Sequence, residues 1–260
     1  MTIGIMSAMR EEIASLVVDL GTEDKAVHTG MRTYHRGRLW GIPVVLVFSR
    51  WGKVAAASTL THLLAQFGVD EVIFTGVAGA VDPTLNIGDV VVAAKLYQHD
   101  MDASPFFMRH EIPLLDMTTF ETDPRHRQAA LDAAQHFLTH DLRSRVSPAL
   151  LNEFHIDQPK VVEEDIASGD KFFAKEEDLA DLRRRLPSVA CVEMEGAAVA
   201  QVCHEHGVPF LVLRTISDSG NEAAPIDFAK FVEQVASTYS HGILRNLLGR
   251  LYPGGRDAGS

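Results

Sequence analysis

Residues 192–221 read VEMEGAAVAQVCHEHGVPFLVLRTISDSGN, and this stretch decides the fold. An apolar run ends in two carboxylates, small residues follow at helical density, and Gly207 with Pro209 stops the helix. A second apolar run follows at 210–213. The order strand, helix, strand is the repeating unit of a parallel α/β sheet. We therefore predict an α/β fold.

Charged side chains stand where these two strands finish. Glu193 and Glu195 follow the first strand, and Arg214 and Asp218 follow the second. In parallel α/β sheets, ligands bind outside the carboxyl ends of the strands. We predict that these four side chains converge on one pocket, although the two glutamates alone are equally compatible with solvated carboxylates at a strand end.

The same alternation of strands and helices continues along the chain. Apolar runs predict strands at 2–6, 33–40, 44–48, 71–74, 89–94, 161–168 and 189–192, with a turn at 41–43. Helices are predicted at 54–67, 123–138, 176–186 and 228–251. The pattern predicts one domain over 1–250, with a mostly parallel, twisted, mixed sheet and helices on both faces. We expect 251–260 to be a flexible tail.

Composition excludes several classes of function. The chain has 260 residues, a net charge of −11 and a pI near 5.5, which argue against binding to nucleic acid. No apolar run approaches the roughly 18 to 20 residues of a membrane span, and we see no signal peptide. Cys191 and Cys203 lie in apolar contexts, which favours a reduced, cytoplasmic protein without disulfides. The net charge says little about a small-molecule ligand, because the local field of a site can oppose it. We expect no cofactor.

Two features near predicted strand ends have both a structural and a functional interpretation. Glu12 lies in the first turn of a helix, where a carboxylate suits the positive helix end, but it also closely follows the first strand. The segment 75–80, TGVAGA, has two glycines that allow a backbone to approach a ligand, or that form a tight turn after the strand.

Three other features have weaker functional signals. The residues HDMD at 99–102 predict a polar loop rather than a metal site, and His204 and His206 point to different faces of a helix. We predict no metal. The loop at 104–117 carries many apolar residues, so we expect it to contact a partner chain or to cap a pocket.

Six short motifs, taken together, carry a resemblance to a known family. They are GIMSAMREE at 4–12, GKVAA at 52–56, TGVAG at 75–79, SGD at 168–170, VEME at 192–195 and ISD at 216–218. In this order and spacing the chain resembles the 5′-methylthioadenosine/S-adenosylhomocysteine nucleosidases of the nucleoside phosphorylase superfamily. The resemblance covers residues 1–250 and implies hydrolysis of an N-glycosidic bond with release of adenine.

The resemblance implies three catalytic residues. Asp218 would donate a proton toward N7 of adenine, with Ser217 positioning it, and Glu12 would activate the attacking water. Glu195 would bind the ribose hydroxyls, and Met194 would pack against the sugar. Cleavage of this bond builds positive charge on the ribosyl ring and negative charge on the base, so an acid and a base suit the reaction.

The resemblance also implies a binding set around these residues. Phe172 would stack near adenine, and Arg214 would position water or Glu195. The sugar and the 5′ substituent would meet Phe173, Phe228, Met9 and Trp51, and the other residues implied at the site are Ala78, Gly79 and Glu193. Ala103 and Phe106 fall where the family closes the alkylthio pocket, partly from a neighbouring subunit. The implied protein is a cytoplasmic homodimer of methionine salvage.

Three residues depart from the family pattern. Trp51 stands where a small aliphatic residue is expected, and it leaves the preferred 5′ group open. Val77 replaces a serine and Phe74 replaces a phosphate-binding arginine of the phosphorylases, so both favour water as the nucleophile. The alternatives are a nucleosidase for another adenine nucleoside such as aminodeoxyfutalosine, a phosphorylase of the same fold, and a nucleoside-binding protein without catalysis.

Overall fold

A computed structural model describes residues 1–21 and 25–253. The strands are β1 (Ile3–Ser7), β2 (Lys25–Thr29), β3 (Arg32–Leu39), β4 (Ile42–Phe48), β5 (Glu71–Ala80), β6 (Val90–Gln98), β7 (Phe120–Glu121), β8 (Val161–Ser168), β9 (Val189–Glu193) and β10 (Phe210–Asp218). The helices are α1 (Arg10–Leu20), α2 (Lys53–Phe67), α3 (Pro124–His136), α4 (Leu142–Arg145), α5 (Pro148–Glu153), α6 (Glu176–Arg185), α7 (Gly196–His206), α8 (Ala224–Phe231) and α9 (Ser237–Leu251). π-Helical turns at Phe137–Asp141 and Val232–Ala236 join α3 to α4 and α8 to α9.

The strands form one mixed sheet in the order β10-β6-β8-β9-β5-β1-β4-β3-β2, with β7 beside β6. A further pairing between β10 and β5 closes part of the sheet into a ring. β5 lies at its centre and pairs in parallel with β1 and β10. It meets β9 in antiparallel orientation only at its last residues, Gly79 and Ala80. The carboxyl ends of β5 and β9 therefore meet, although the two strands run in opposite directions.

Helices cover the sheet on both faces. Apolar residues of α1, α3 and α9 form one hydrophobic core with one face, and those of α2 and α7 form a second core with the other. A smaller cluster lies under α6. The predicted α/β fold, with a mixed sheet flanked by helices, is confirmed. Within the described residues, no helix is long and apolar enough to cross a membrane.

Two local predictions about the strands were wrong, and one strand was missed. β5 does not end at Phe74 but continues through Ala80, so the glycines of the 75–80 segment lie in a strand. β4 begins at Ile42, which places Pro43 in the strand and not in the turn. β2 was not predicted, because it is a largely exposed edge strand without a clear apolar alternation.

The end of the chain also differs from the prediction. The long helix predicted at 228–251 begins earlier, with α8 at Ala224, and passes through a π-helical turn into α9. Leu251 ends α9 and is buried, so the predicted tail at 251–260 starts with a packed residue. From residue 254 onward, that tail lies outside the described residues.

Candidate functional site

A cleft opens where β1, β5, β9 and β10 end, and it encloses about 580 Å³ of empty space when its open mouth is included. Its lining consists of Ala8, Met9, Glu12, Trp51, Val77, Ala78, Gly79, Lys171, Phe172, Phe173, Val192, Glu193, Met194, Glu195, Arg214, Ser217, Asp218 and Phe228. Two residues predicted at the site, Ala103 and Phe106, lie outside this lining, and Phe106 is 86% exposed.

Glu12 is buried at the start of α1 and points into the cleft. Its Oε2 accepts hydrogen bonds from the N–H groups of Ala8 and Met9, both at 2.9 Å, and its Oε1 accepts one from Val77 N–H at 3.0 Å. Burial raises the pKa of this carboxyl to about 7, although these hydrogen bonds and the charge of Arg214 oppose the rise. Glu12 can therefore exchange a proton near neutral pH.

A gap along one edge of β5 makes room for Glu12. β1 pairs with β5 only as far as Phe74, and β9 pairs with it only from Gly79 onward. Between these pairings the N–H of Val77 is free to bond with Glu12. A Cβ atom on Gly76 would lie 2.7 Å from Glu12 Oε1, so the glycine is needed for this close approach.

Asp218 ends β10 and is also buried. Its Oδ2 accepts a hydrogen bond from the Ser217 hydroxyl, and its Oδ1 accepts one from Gly220 N–H, both at 2.9 Å. Burial raises the pKa of the carboxyl to about 6. A Cβ on Gly79 would lie 2.9 Å from Asp218 Oδ1. The two glycines of the 75–80 segment thus leave space for one carboxylate each, Gly76 for Glu12 and Gly79 for Asp218.

Glu193 lies in the cleft wall, but its carboxylate is already fully engaged. It accepts a hydrogen bond from the Ser168 hydroxyl and from the N–H groups of Glu195 and Gly196 at the start of α7. Arg214 donates to Glu193 Oε2 at 2.6 Å, in a pair whose side chains are 3% exposed or less. Arg214 therefore holds Glu193, whereas the resemblance implied that it positions water or Glu195.

Among the described residues, one hydrogen bond reaches the Glu195 carboxylate, from Gly52 N–H to Oε1 at 2.7 Å. No donor in the described part of the chain binds the other oxygen, Oε2, which is therefore available to a ligand. Burial, together with the neighbouring Glu193 charge, raises the pKa of Glu195. Because Gly52 precedes α2, this contact links the start of that helix to the cleft.

Aromatic side chains form one wall of the cleft. The Phe228 ring makes T-shaped contacts with two other rings. Its centroid lies 5.6 Å from that of Trp51 and 5.4 Å from that of Phe172. Trp51 is 52% exposed and stands at the mouth. Such surfaces bind flat, apolar ligand groups by stacking and edge contacts. The carboxylates on one side and this wall on the other suit a ligand with a polar sugar and an aromatic base.

The described chain contains no group of three or more histidine, cysteine, aspartate and glutamate residues that could hold a metal ion. The polar 99–102 segment instead joins a hydrogen-bond network beside the cleft, through Asp100. Sequence reasoning missed Lys171 and Ala8 in the lining, and Gly52 and Ser168 as hydrogen-bond partners of Glu195 and Glu193. The only signal for the last two was their presence in the GKVAA and SGD motifs.

Several known proteins with a similar sequence and structure are nucleosidases. A sequence model of the phosphorylase superfamily matches residues 2–249. The 5′-methylthioadenosine/S-adenosylhomocysteine nucleosidase of Colwellia psychrerythraea is 37% identical over 254 residues, which are 96% of this chain and 97% of that protein. The aminodeoxyfutalosine nucleosidase of Helicobacter pylori (strain J99) is 35% identical over 91% of this chain and 94% of that protein. A crystal structure of the Colwellia enzyme in complex with adenine superposes with a TM-score of 0.84, at 35% identity and 96% coverage of both chains.

Proposed function

The chain belongs to the phosphorylase superfamily, and we propose that it hydrolyses the N-glycosidic bond of 5′-thio-substituted adenosines and releases adenine. Its substrates are 5′-methylthioadenosine and S-adenosylhomocysteine, the compounds named for its Colwellia relative. The observation that carries the proposal is the pair of buried carboxyls with raised pKa, Glu12 and Asp218, in one cleft. The reaction needs one base and one acid, and each carboxyl can serve as either near neutral pH.

Asp218 is the general acid in this proposal. Its raised pKa keeps a share of the carboxyl protonated near pH 6, and the Ser217 hydroxyl and Gly220 N–H fix its orientation. Transfer of its proton to N7 of the purine neutralises the base as the glycosidic bond breaks. A positioned acid accelerates such a step by roughly 10²- to 10⁴-fold.

Glu12 is the general base, and Glu195 binds the ribose. Glu12 takes a proton from water, which attacks the sugar on the face opposite the departing base, as in an inverting glycosidase. The Glu195 oxygen that does not bind Gly52 accepts hydrogen bonds from the sugar hydroxyls. Met194, beside Glu195 in the lining, packs against the sugar, while Phe172 stacks near adenine.

The charge of the cleft favours water over phosphate as the nucleophile. Among the described lining residues, the cations are Arg214, which is paired with Glu193, and Lys171, which is paired with Asp178. The Phe74 ring lies beneath the Arg214 guanidinium, 4.1 Å from ring centroid to Cζ. A phosphate dianion would meet carboxylates without a free cation to balance its charge.

Incubation of the purified protein with 5′-methylthioadenosine, with and without phosphate, tests the proposal. We expect adenine to be released at the same rate in both buffers. Release that requires phosphate would identify a phosphorylase. Absence of release from this substrate, with release from aminodeoxyfutalosine, would replace the proposed substrate with that of the Helicobacter relative.

The pH dependence of kcat/KM should be a bell with a maximum near pH 6.5. Activity needs Glu12 ionised and Asp218 protonated, whereas their pKa values are about 7 and about 6. At pH 6.5 about a quarter of each group is in the required form, so about one molecule in twenty is active. Activity falls below pH 6 as Glu12 is protonated and above pH 7 as Asp218 ionises. A kcat/KM that stays constant from pH 5 to 9 would contradict these assignments.

Gly76→Ala should lower kcat by about 10- to 100-fold, because a small displacement of a catalytic group is costly. The new Cβ would lie 2.7 Å from Glu12 Oε1 and 3.2 Å from its Cδ, so the carboxylate must move. The check is a double-mutant cycle with Glu12→Asp, whose shorter side chain relieves the contact. We expect Glu12→Asp to cost less activity in the Gly76→Ala background than in the wild type. Simple addition of the two losses would refute the steric explanation.

We further infer that the protein is a cytoplasmic homodimer that serves methionine salvage. Three apolar side chains on the 104–117 loop support dimerisation, since Phe106, Met108 and Leu114 are each at least 70% exposed. In the dimer this loop, with Ala103, lies at the partner's cleft.

Phe106→Glu should convert the dimer to a monomer and raise KM, as measured by light scattering and adenine release. Val18→Glu, at a 76% exposed site on α1, is the control that should do neither. A wild-type monomer would contradict the inference.

A further inference from the structure

Three chain segments beside the cleft, the start of α2 and two loops, are joined by a closed ring of hydrogen bonds among Lys53, Asp100 and Asp170. Lys53 N–H donates to Asp170 Oδ1 at 2.8 Å, and Asp170 N–H donates to Asp100 Oδ2 at 3.0 Å. The Lys53 ammonium closes the ring on Asp100 Oδ1 at 2.6 Å. These residues follow β4, β6 and β8 respectively, so the ring fixes the relative positions of three chain segments that are distant in sequence.

The ring is more protected than an ordinary surface ion pair. The Lys53 and Asp100 side chains are 17% and 33% exposed, and the ammonium also donates to Gln98 Oε1 at 3.0 Å. Burial alone would raise the pKa of Asp100. The hydrogen bonds from the Lys53 ammonium and from Asp170 N–H lower it by more, so the pKa lies below its usual range. Asp100 is therefore ionised, and both of its oxygens are engaged.

One side of the ring leads directly to the carboxylate proposed to bind ribose. Gly52 precedes Lys53 in the chain, and its N–H is, within residues 1–21 and 25–253, the one donor to the Glu195 carboxylate. Gly52 has a φ of +94°, and a Cβ there would lie 2.9 Å from Asp170 Oδ1. The contact with Asp170 thus leaves no room for a side chain and fixes the peptide that holds Glu195.

The other side of the ring leads to the aromatic residues of the purine side. Phe172 and Phe173 follow Asp170 by two and three positions, and both line the cleft. The buried His99 ring packs against Phe173, with centroids 5.2 Å apart, and against Gly169. His99 and Asp100 together therefore support the loop that carries both phenylalanines.

We propose that the Lys53–Asp100–Asp170 ring sets the distance between the purine-binding loop and Glu195, and that Asp100 is a positioning residue for nucleoside binding. This inference rests on the proposed nucleosidase function. Base and ribose are joined by a single covalent bond, so the groups that bind them must be held at a matching separation. The ring has no hydrogen bond to Glu12 or Asp218, so it should affect binding more than proton transfer.

Asp100→Asn tests the proposal, because it removes the charge that holds Lys53 and nearly keeps the side-chain volume. We expect KM for 5′-methylthioadenosine to rise about ten-fold while kcat changes less than about three-fold, the signature of lost ground-state binding. The positions of the two limbs of the pH profile should stay unchanged. The matched control is Glu153→Gln, which breaks the surface pair with Lys230 at 3.0 Å and should alter neither constant.

A lower melting temperature with unchanged KM would show that the ring only stabilises the fold and would overturn the proposal. If Asp100→Asn does not fold, Lys53→Met takes its place and should raise KM, because it removes the ammonium but keeps the backbone N–H that donates to Asp170. Lys53→Arg keeps the positive charge and should have the KM of the wild type. A wild-type protein that releases no adenine from any adenine nucleoside would remove the proposed function and this inference together. Wild-type turnover with unchanged KM in the variants would remove the inference alone.

Discussion

Asp218→Asn should lower kcat for adenine release by about 10²- to 10⁴-fold, the range of a lost general acid. The amide has nearly the size of the carboxyl, and its oxygen can accept the Gly220 N–H that now donates to Oδ1. Its NH₂ group can donate to the Ser217 hydroxyl, which now donates to Oδ2. The variant can thus hold its place and offer a hydrogen bond to N7, but it has no proton to transfer.

The stability of this variant separates lost chemistry from lost structure. The folded-state pKa of Asp218 is raised by burial to about 6, so its contribution to stability is present at low pH and is lost as pH rises through about 6. Above that pH the wild type carries a buried charge that the variant lacks. Asp218→Asn should therefore unfold at pH 7.5 at a temperature no lower than the wild type, in a thermal scan.

The pH profile and a neighbouring substitution provide the controls. Without Asp218, the residual activity should rise through about pH 7 with Glu12 ionisation and should not fall again. Asp227→Asn removes a carboxylate whose charge adds to the rise in the pKa of Asp218, and it should leave kcat within about two-fold of the wild type. Full activity in Asp218→Asn would exclude this residue as the acid.

The order of apolar runs and breakers was enough to predict the fold, but not where β5 ends. The residues at 75–80 are small, with two glycines, and this composition is typical of a turn. In the structure both positions need glycine, because the carboxylates of Glu12 and Asp218 lie too close to where a Cβ atom would be. These two carboxylates come from distant parts of the chain. No local pattern contains that information, since the two carboxylates lie 64 residues before and 139 residues after these glycines at the closest.

For the candidate site, too, the local sequence predicted part of the arrangement, and contacts between distant residues determine the rest. The sequence indicated that carboxylates gather at strand ends, and the cleft contains Glu12, Glu193, Glu195 and Asp218. It could not tell which glutamate of the pair at 193 and 195 is free to bind a ligand. That difference depends on Arg214 and other partners that saturate Glu193. The roles assigned to these residues stay predictions until the variants are measured.

Glu12→Gln should lower kcat/KM by about 10²- to 10⁴-fold, because the amide cannot take a proton from water. Unlike Asp218→Asn, it should also destabilise the fold. The carboxylate accepts three backbone N–H groups, from Ala8, Met9 and Val77, with both of its oxygens. An amide has one acceptor oxygen, so its NH₂ group must face at least one buried N–H. An unsatisfied buried donor costs about 1–3 kcal/mol, which a lower melting temperature would report.

Residual activity of Glu12→Gln distinguishes a lost base from a displaced carboxylate. If Glu12 is the base, the rising limb of kcat/KM below pH 6 disappears, and only a fall as the pH passes about 6, from ionisation of Asp218, remains. Glu11→Gln, one residue earlier on the exposed side of α1, is the matched control and should retain both limbs. A Glu12→Gln variant that keeps the rising limb would assign that limb to another group. Glu195 would then be the candidate, because burial also raises its pKa and it lies in the same cleft.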